Sequence, residues 1–213
     1  MCDAKAAEGG PSPISLDDIE EASNEFNAAY GRAFAAWAIV ETILDKLLVR
    51  MTGAPPEMSA AMYYSTRSFN AKADMIEAVI HLVSADENFK SMLKNIMKKV
   101  RQYSSTRNIL AHAHQSSTVD ISSDGNKLNL HYYIRDASKM ELPLGDDHTT
   151  KGQLENCREN FGRLAYYILY TIKVPAAEVR AWPEKCLELL RQLPIDACST
   201  SVAPTVEVPA IPP

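Results

Sequence analysis

Arg107, Asn108, His112 and His114 fall within one run, Arg107-Asn108-Ile109-Leu110-Ala111-His112-Ala113-His114, and carry the densest chemistry in the chain. An imidazole titrates near neutrality and can accept or deliver a proton. A guanidinium offers a fork of donors that matches phosphate oxygens. With no carboxylate in the run, the combination suits phosphodiester cleavage without a metal. RNA can be cut by its own 2′-hydroxyl if a base takes the hydroxyl proton. A cation must also steady the charge on the phosphorane, and an acid must protonate the departing 5′-oxygen. Histidine fits the first or third role and arginine the second.

Spacing limits how these side chains cooperate. Asn108 and His112 are four residues apart, on one helical face, and can hydrogen-bond so that one imidazole nitrogen is left free. Arg107 and His112 are five apart, roughly 140° around an ideal helix. They can line a groove, or meet a second copy across a two-fold axis that supplies one histidine for each proton transfer. Two other readings stay open. Arg107 and His112 can be a structural pair at a helix C-terminus, where the dipole favours cations. His112 and His114 can be metal ligands, although on a helix they would point roughly 200° apart and no carboxylate or cysteine lies nearby. The expectation is no metal and no cofactor.

The helix that presents the run is basic. From Asn88 to Val119 there is no acidic residue, so the net charge of -5 divides into +6 for this stretch and -11 for the remainder. Lys94, Lys98, Lys99 and Arg101 are the candidate contacts to an RNA backbone; a solvated lysine face is the plainer alternative. Phe89, Leu93, Ile96, Val100 and Tyr103 form the apolar seam, and the same count puts Arg107 on it. A guanidinium on a packing seam needs a carboxylate, a carbonyl, a phosphate or a second subunit.

Upstream, Ser15 with Asp18 reads as a capping box that opens a helix of roughly 35 residues. Its stripe is Ile19, Ala22, Phe26, Tyr30, Ala33, Trp37, Val40, Leu44, Leu47 and Met51. Gly53 before Pro55-Pro56 stops it, and Gly31 is where it would bend or break. Glu41 beside that stripe belongs either on the solvent edge, the favoured reading, or against a cation from another helix. A short helix covers 57–64, and Ser68 caps another through Val83, with Lys72 and His81 at its surface or edge. Alternating residues after Gln115, with Asp124-Gly125 between them, predict a β-hairpin at about 117–135. Thr150 with Gln153 caps a further helix, and a last one runs over 177–193 with Pro183 interrupting it. Residues 1–14 form a disordered lead-in and 194–213 a proline-rich disordered tail. The fold class is therefore all-α: one domain over 15–193, a bundle of four to six helices with a small hairpin insertion after the motif helix.

The run Arg107-Asn108-Ile109-Leu110-Ala111-His112 resembles the Arg-polar-x-x-x-His motif of the HEPN superfamily. Ala36-Trp37-Ala38-Ile39-Val40-Glu41 on the first helix and Ser68-Phe69-Asn70-Ala71-Lys72 on a second match that layout over about residues 16–175. The resemblance implies a metal-independent endoribonuclease, a homodimer with both motifs in a shared cleft, and a role as a toxin with an antitoxin partner or as a defence component. It implies Arg107 and His112 as the catalytic pair with Asn108 orienting them, and Glu41 as a supporting acid. His114 stands where small residues tend to follow the histidine, which leaves it as a supporting or merely crowding group. The alternative is a non-catalytic interaction or nucleic-acid-binding module of the same fold.

Bulk properties exclude other classes. Hydrophobic residues at 46% and charged residues at 23% are globular values. Cys2, Cys157, Cys186 and Cys198 are scattered without a CxxC pair, which argues against a zinc site and against a disulfide framework and suits a reducing cytoplasm. No apolar run is long enough to span a bilayer, and no secretory signal is legible.

Overall fold

The computed structural model describes residues 14–83, 86–121, 128–136, 148–174, 180–200 and 210. The first helix, α1 (Leu16–Thr52), opens with the expected capping box: the Asp18 amide donates to Ser15 Oγ and the Ser15 amide to the Asp18 carboxylate. Gly53 closes it at φ +66°, a left-handed conformation that glycine adopts without Cβ cost. Gly31 does not break it. Residues flanking that glycine, Ala29 and Ala33, are fully buried, and this continuous packed stripe outweighs a propensity cost of about 1 kcal/mol.

Then come α2 (Pro56–Ser65), α3 (Phe69–Leu82) capped by Ser68, and α4 (Glu87–His112) capped by Asp86. The chain next makes β1 (Ala113–Ile121), β2 (Leu128–Asp136) and β3 (His148–Thr150), an antiparallel sheet in that order. The hairpin thus begins at Ala113, earlier than 117, and acquires a third strand that three residues of sequence could not announce. Thr150 and Gln153 cap α5 (Lys151–Lys173) as expected. The last helix, α6 (Trp182–Gln192), has Pro183 in its first turn and is not interrupted by it, because a proline there lacks only an N–H that has no acceptor. Residues 1–13 of the expected lead-in over 1–14, the Asp124-Gly125 turn, residues 137–147 and 175–179, and residues 201–209 and 211–213 of the expected tail lie outside the described residues. The all-α bundle with a small β insertion is what forms.

The core lies mainly between α1 and α5, with α4 packed against α3, α5 and α6. Trp37 joins the layers, its ring 5.1 Å from Phe69 and 5.2 Å from Phe161. No helix among the described residues is long and apolar enough to cross a membrane.

The first residues after α6 are not a free tail. Lys99 Nζ donates to the carbonyls of Leu193 and Pro194, Tyr103 Oη to Pro194, and Thr106 Oγ1 to Asp196. Asn160 Nδ2 donates to the carbonyls of Ala197 and Ser199 at 2.7 and 2.9 Å. A Cys157–Cys198 disulfide then fastens this strap to α5. The expectation of disorder from residue 194 fails for 194–200. So does the expectation of unbridged cysteines, and with it the cysteine argument for a reducing compartment. A separation of 41 residues carries no spacing signal; only the packing of the strap along α5 brings the two sulfurs together. Cys186 stays a free thiol, pushed up to about 12 by burial.

Candidate functional site

The last turn of α4 exposes its polar face because the chain leaves the helix abruptly. Ala113 is extended (φ -80°, ψ 152°), its N–H reaching back to the Leu110 carbonyl, and strand pairing with β2 begins at once. Helix ends leave carbonyls without intrahelical donors. Tyr30 of α1 covers one of them, its hydroxyl donating to Leu110 O at 2.9 Å. Burial raises the Tyr30 pKa and the Arg107 charge pulls it the other way. Burial prevails, so Tyr30 stays a protonated donor that pins the motif turn to α1.

Arg107 is half-buried, as its seam position predicted, whereas Asn108 and His112 are exposed. Arg107 Nη1 donates to Asn108 Oδ1 at 3.2 Å, and Nε is buried without a hydrogen-bond partner. Among the described residues no carboxylate pairs with this guanidinium. Asn108 is therefore not bonded to His112 as the four-residue spacing led us to expect. Its carbonyl oxygen takes the charge-assisted bond from the neighbouring cation instead. His112 is the final helical residue and faces solvent.

His114 does not continue the helix. It stands in β1, exposed and opposite Arg135 of β2, so the 200° helical offset between the two histidines does not apply. Among the described residues no three His, Cys, Asp or Glu side chains are grouped to hold a metal ion.

Glu41 is paired, not left at the solvent edge. Trp37 Nε1 donates to its Oε1 at 2.7 Å, and Lys72 Nζ approaches its Oε2 at 3.4 Å. Lys72, expected at the surface, is only 9% exposed and lies 4.7 Å from the Tyr63 ring centroid. The carboxylate and the ring faces together offset the desolvation of that ammonium. Both oxygens of Glu41 are engaged in α1–α3 packing, and no interaction joins it to Arg107 or His112.

The basic residues of α4 divide in the same way. Arg101 Nε and Nη2 bond the Glu77 carboxylate at 2.8 and 3.0 Å, and Nη2 also meets Asp74. Lys99 is half-buried on the strap carbonyls, its pKa lowered by burial and by Lys98 beside it. Lys94 and Lys98 remain exposed. Two residues outside the motif run matter here. Tyr30 looked like a stripe residue, and the mark it carried was a hydroxyl at a partly buried position. Arg191, at the end of α6, faces Lys98 and Lys99 across a groove. No local signal connects it to α4.

Comparison with protein-family models, curated proteins and solved structures finds no match.

Proposed function

We propose that the chain is a HEPN-type, metal-independent endoribonuclease that works as a homodimer, with Arg107, Asn108 and His112 of both protomers in a common cleft. The observation that carries this reading is Arg107: a half-buried guanidinium without a carboxylate among the described residues, at the same end of α4 as a solvent-facing imidazole. Such a cation meets a phosphate with little rearrangement. Asn108 holds one of its nitrogens, which orients the fork before substrate arrives. One His112 takes the 2′-hydroxyl proton as that oxygen attacks phosphorus. The other gives a proton to the 5′-oxygen, so the products are a 2′,3′-cyclic phosphate and a 5′-hydroxyl.

Purified protein incubated with single-stranded RNA in EDTA should yield those ends. His112→Ala should lower the rate about 10²–10⁴-fold with an unchanged melting temperature. Intact RNA, or cleavage indifferent to His112, rejects the reading. An RNA substrate implies a cytoplasmic setting, as for a toxin held by an antitoxin or a defence nuclease. There the Cys157–Cys198 bond is shielded, with Cys157 0% and Cys198 5% exposed.

A second reading, a non-catalytic interaction module, draws on Ile109, which is 45% exposed between Asn108 and His112. An apolar side chain there fits a dimer seam. This reading requires Arg107→Ala to weaken the dimer by size exclusion while RNA stays intact under all conditions.

A further inference from the structure

Between α4 and α6 lies an open groove of about 360 Å³ lined by Lys98, Lys99, Arg191, Asn95 and Gln102, among others, with leucines of α6 supplying its apolar part. No acidic residue lines it. Lys98 and Arg191 have no ion-pair partner among the described residues, while Lys99 is held on the Leu193 and Pro194 carbonyls and adds a fixed charge behind them. Three cations therefore line one groove with no acidic residue among its described lining.

Lys98 of the groove and His112 of the motif share one face of α4. Lys98 and His112 are fourteen residues apart, about 21 Å along the axis and within about 40° around it. On the same count Gln102, Ser105 and the exposed Ile109 lie between them, none of them acidic, with Asn108 about 80° to the side. Asp196, on the flank of this face, is committed to Thr106 Oγ1 and to the Cys198 amide.

We infer that this groove is a second RNA subsite, in which Lys98 and Arg191 hold backbone phosphates of the strand whose scissile bond lies at His112. The inference rests on the ribonuclease reading for the position of the scissile bond, but not for the binding itself. At a rise of about 3.4 Å per nucleotide, 21 Å corresponds to about six phosphates, fewer if the strand is stretched. Short RNA at His112 does not reach the groove; longer RNA does.

Fluorescence anisotropy in the His112→Ala background tests this, using 5′-labelled single-stranded RNAs of 4 and 12 nucleotides. The 12-mer should bind at least tenfold more tightly than the 4-mer. Lys98→Glu with Arg191→Glu should remove that advantage, and Lys98→Gln with Arg191→Gln most of it. The slope of log affinity against log salt should become shallower by about 1.4, the value for two lost single-strand phosphate contacts. The same charge change on α1, Lys46→Glu with Arg50→Glu, should cost less than threefold. Equal losses from the α1 pair, an unchanged 12-mer affinity in the groove variants, or displacement by inorganic phosphate at matched phosphate concentration would each overturn the subsite. Intact RNA with wild-type protein, together with groove-dependent binding, rejects the nuclease and keeps the subsite. Cleavage without groove dependence does the reverse.

Discussion

Arg101 and Arg107 leave the same helix six residues apart, Arg107 on the apolar seam and Arg101 beside it, and neither position says which of them finds a carboxylate. Arg101 forks onto Glu77 and reaches Asp74, so its guanidinium is held charged by three short bonds to α3. Arg107 has one amide oxygen and a buried Nε without an acceptor. One arginine joins two helices; the other has no carboxylate partner among the described residues. Glu41 and Lys72 stand with Arg101, since their charges are spent on each other and on aromatic faces. A charge that is already satisfied contributes to the fold, and a charge that is not satisfied is where a ligand or a second copy gains most.

The sharpest way to break that comparison is to truncate both arginines. Arg107→Ala should lower RNA cleavage about 10²–10³-fold, the loss typical of a donor aimed at developing charge, with stability changed by less than about 0.5 kcal/mol. Arg101→Ala should leave cleavage unchanged and destabilise by about 1 kcal/mol, because its partners are partly exposed. Equal effects on cleavage would erase the distinction. Next in size is the strap. Cys198→Ser should lower unfolding free energy by about 3 kcal/mol, read by urea denaturation, since the bond closes a loop across 41 residues. An unaltered cleavage rate would place the strap wholly on the structural side. Glu41→Gln should cost about 1–2 kcal/mol through the orphaned Lys72, and cleavage should survive. Loss of cleavage with stability retained would move Glu41 to the other side of the comparison.

The smallest expected effect is acid sensitivity at Glu155. Bonds from Arg32, chiefly, and from Arg158 hold its carboxyl below the usual glutamate range. A depressed folded value means that its stabilisation is full above the unfolded pKa and fades as pH falls through the folded one. Thermal melts of Arg32→Ala and wild type should therefore differ slightly at neutral pH and converge under acid conditions.

How much was legible in the sequence follows from what each feature depends on. The caps at Ser15, Ser68 and Thr150, the stop at Gly53 and the seam through Phe89, Leu93, Ile96, Val100 and Tyr103 are local, set by hydrogen bonds within a turn and by a 3.6-residue period. Arg107 was legible as an anomaly for the same reason, since periodicity alone puts it on the seam. The end of α4 was less legible: Ala113 and His114 suit a helix, and only pairing with β2 draws them into a strand.

What the amino-acid order determined by itself is thus the set of helices, their buried faces and the position of one arginine that ought to have a partner. Tertiary structure decided which charges find partners: Glu41 with Lys72, Arg101 with Asp74 and Glu77, Lys99 with the strap, and Arg107 with no carboxylate among the described residues. It also decided that Cys157 meets Cys198 and that Arg191 joins Lys98 in one groove. The physical reason is range. Capping and periodicity act over three or four residues, whereas pairing a charge depends on which helix the fold brings beside it.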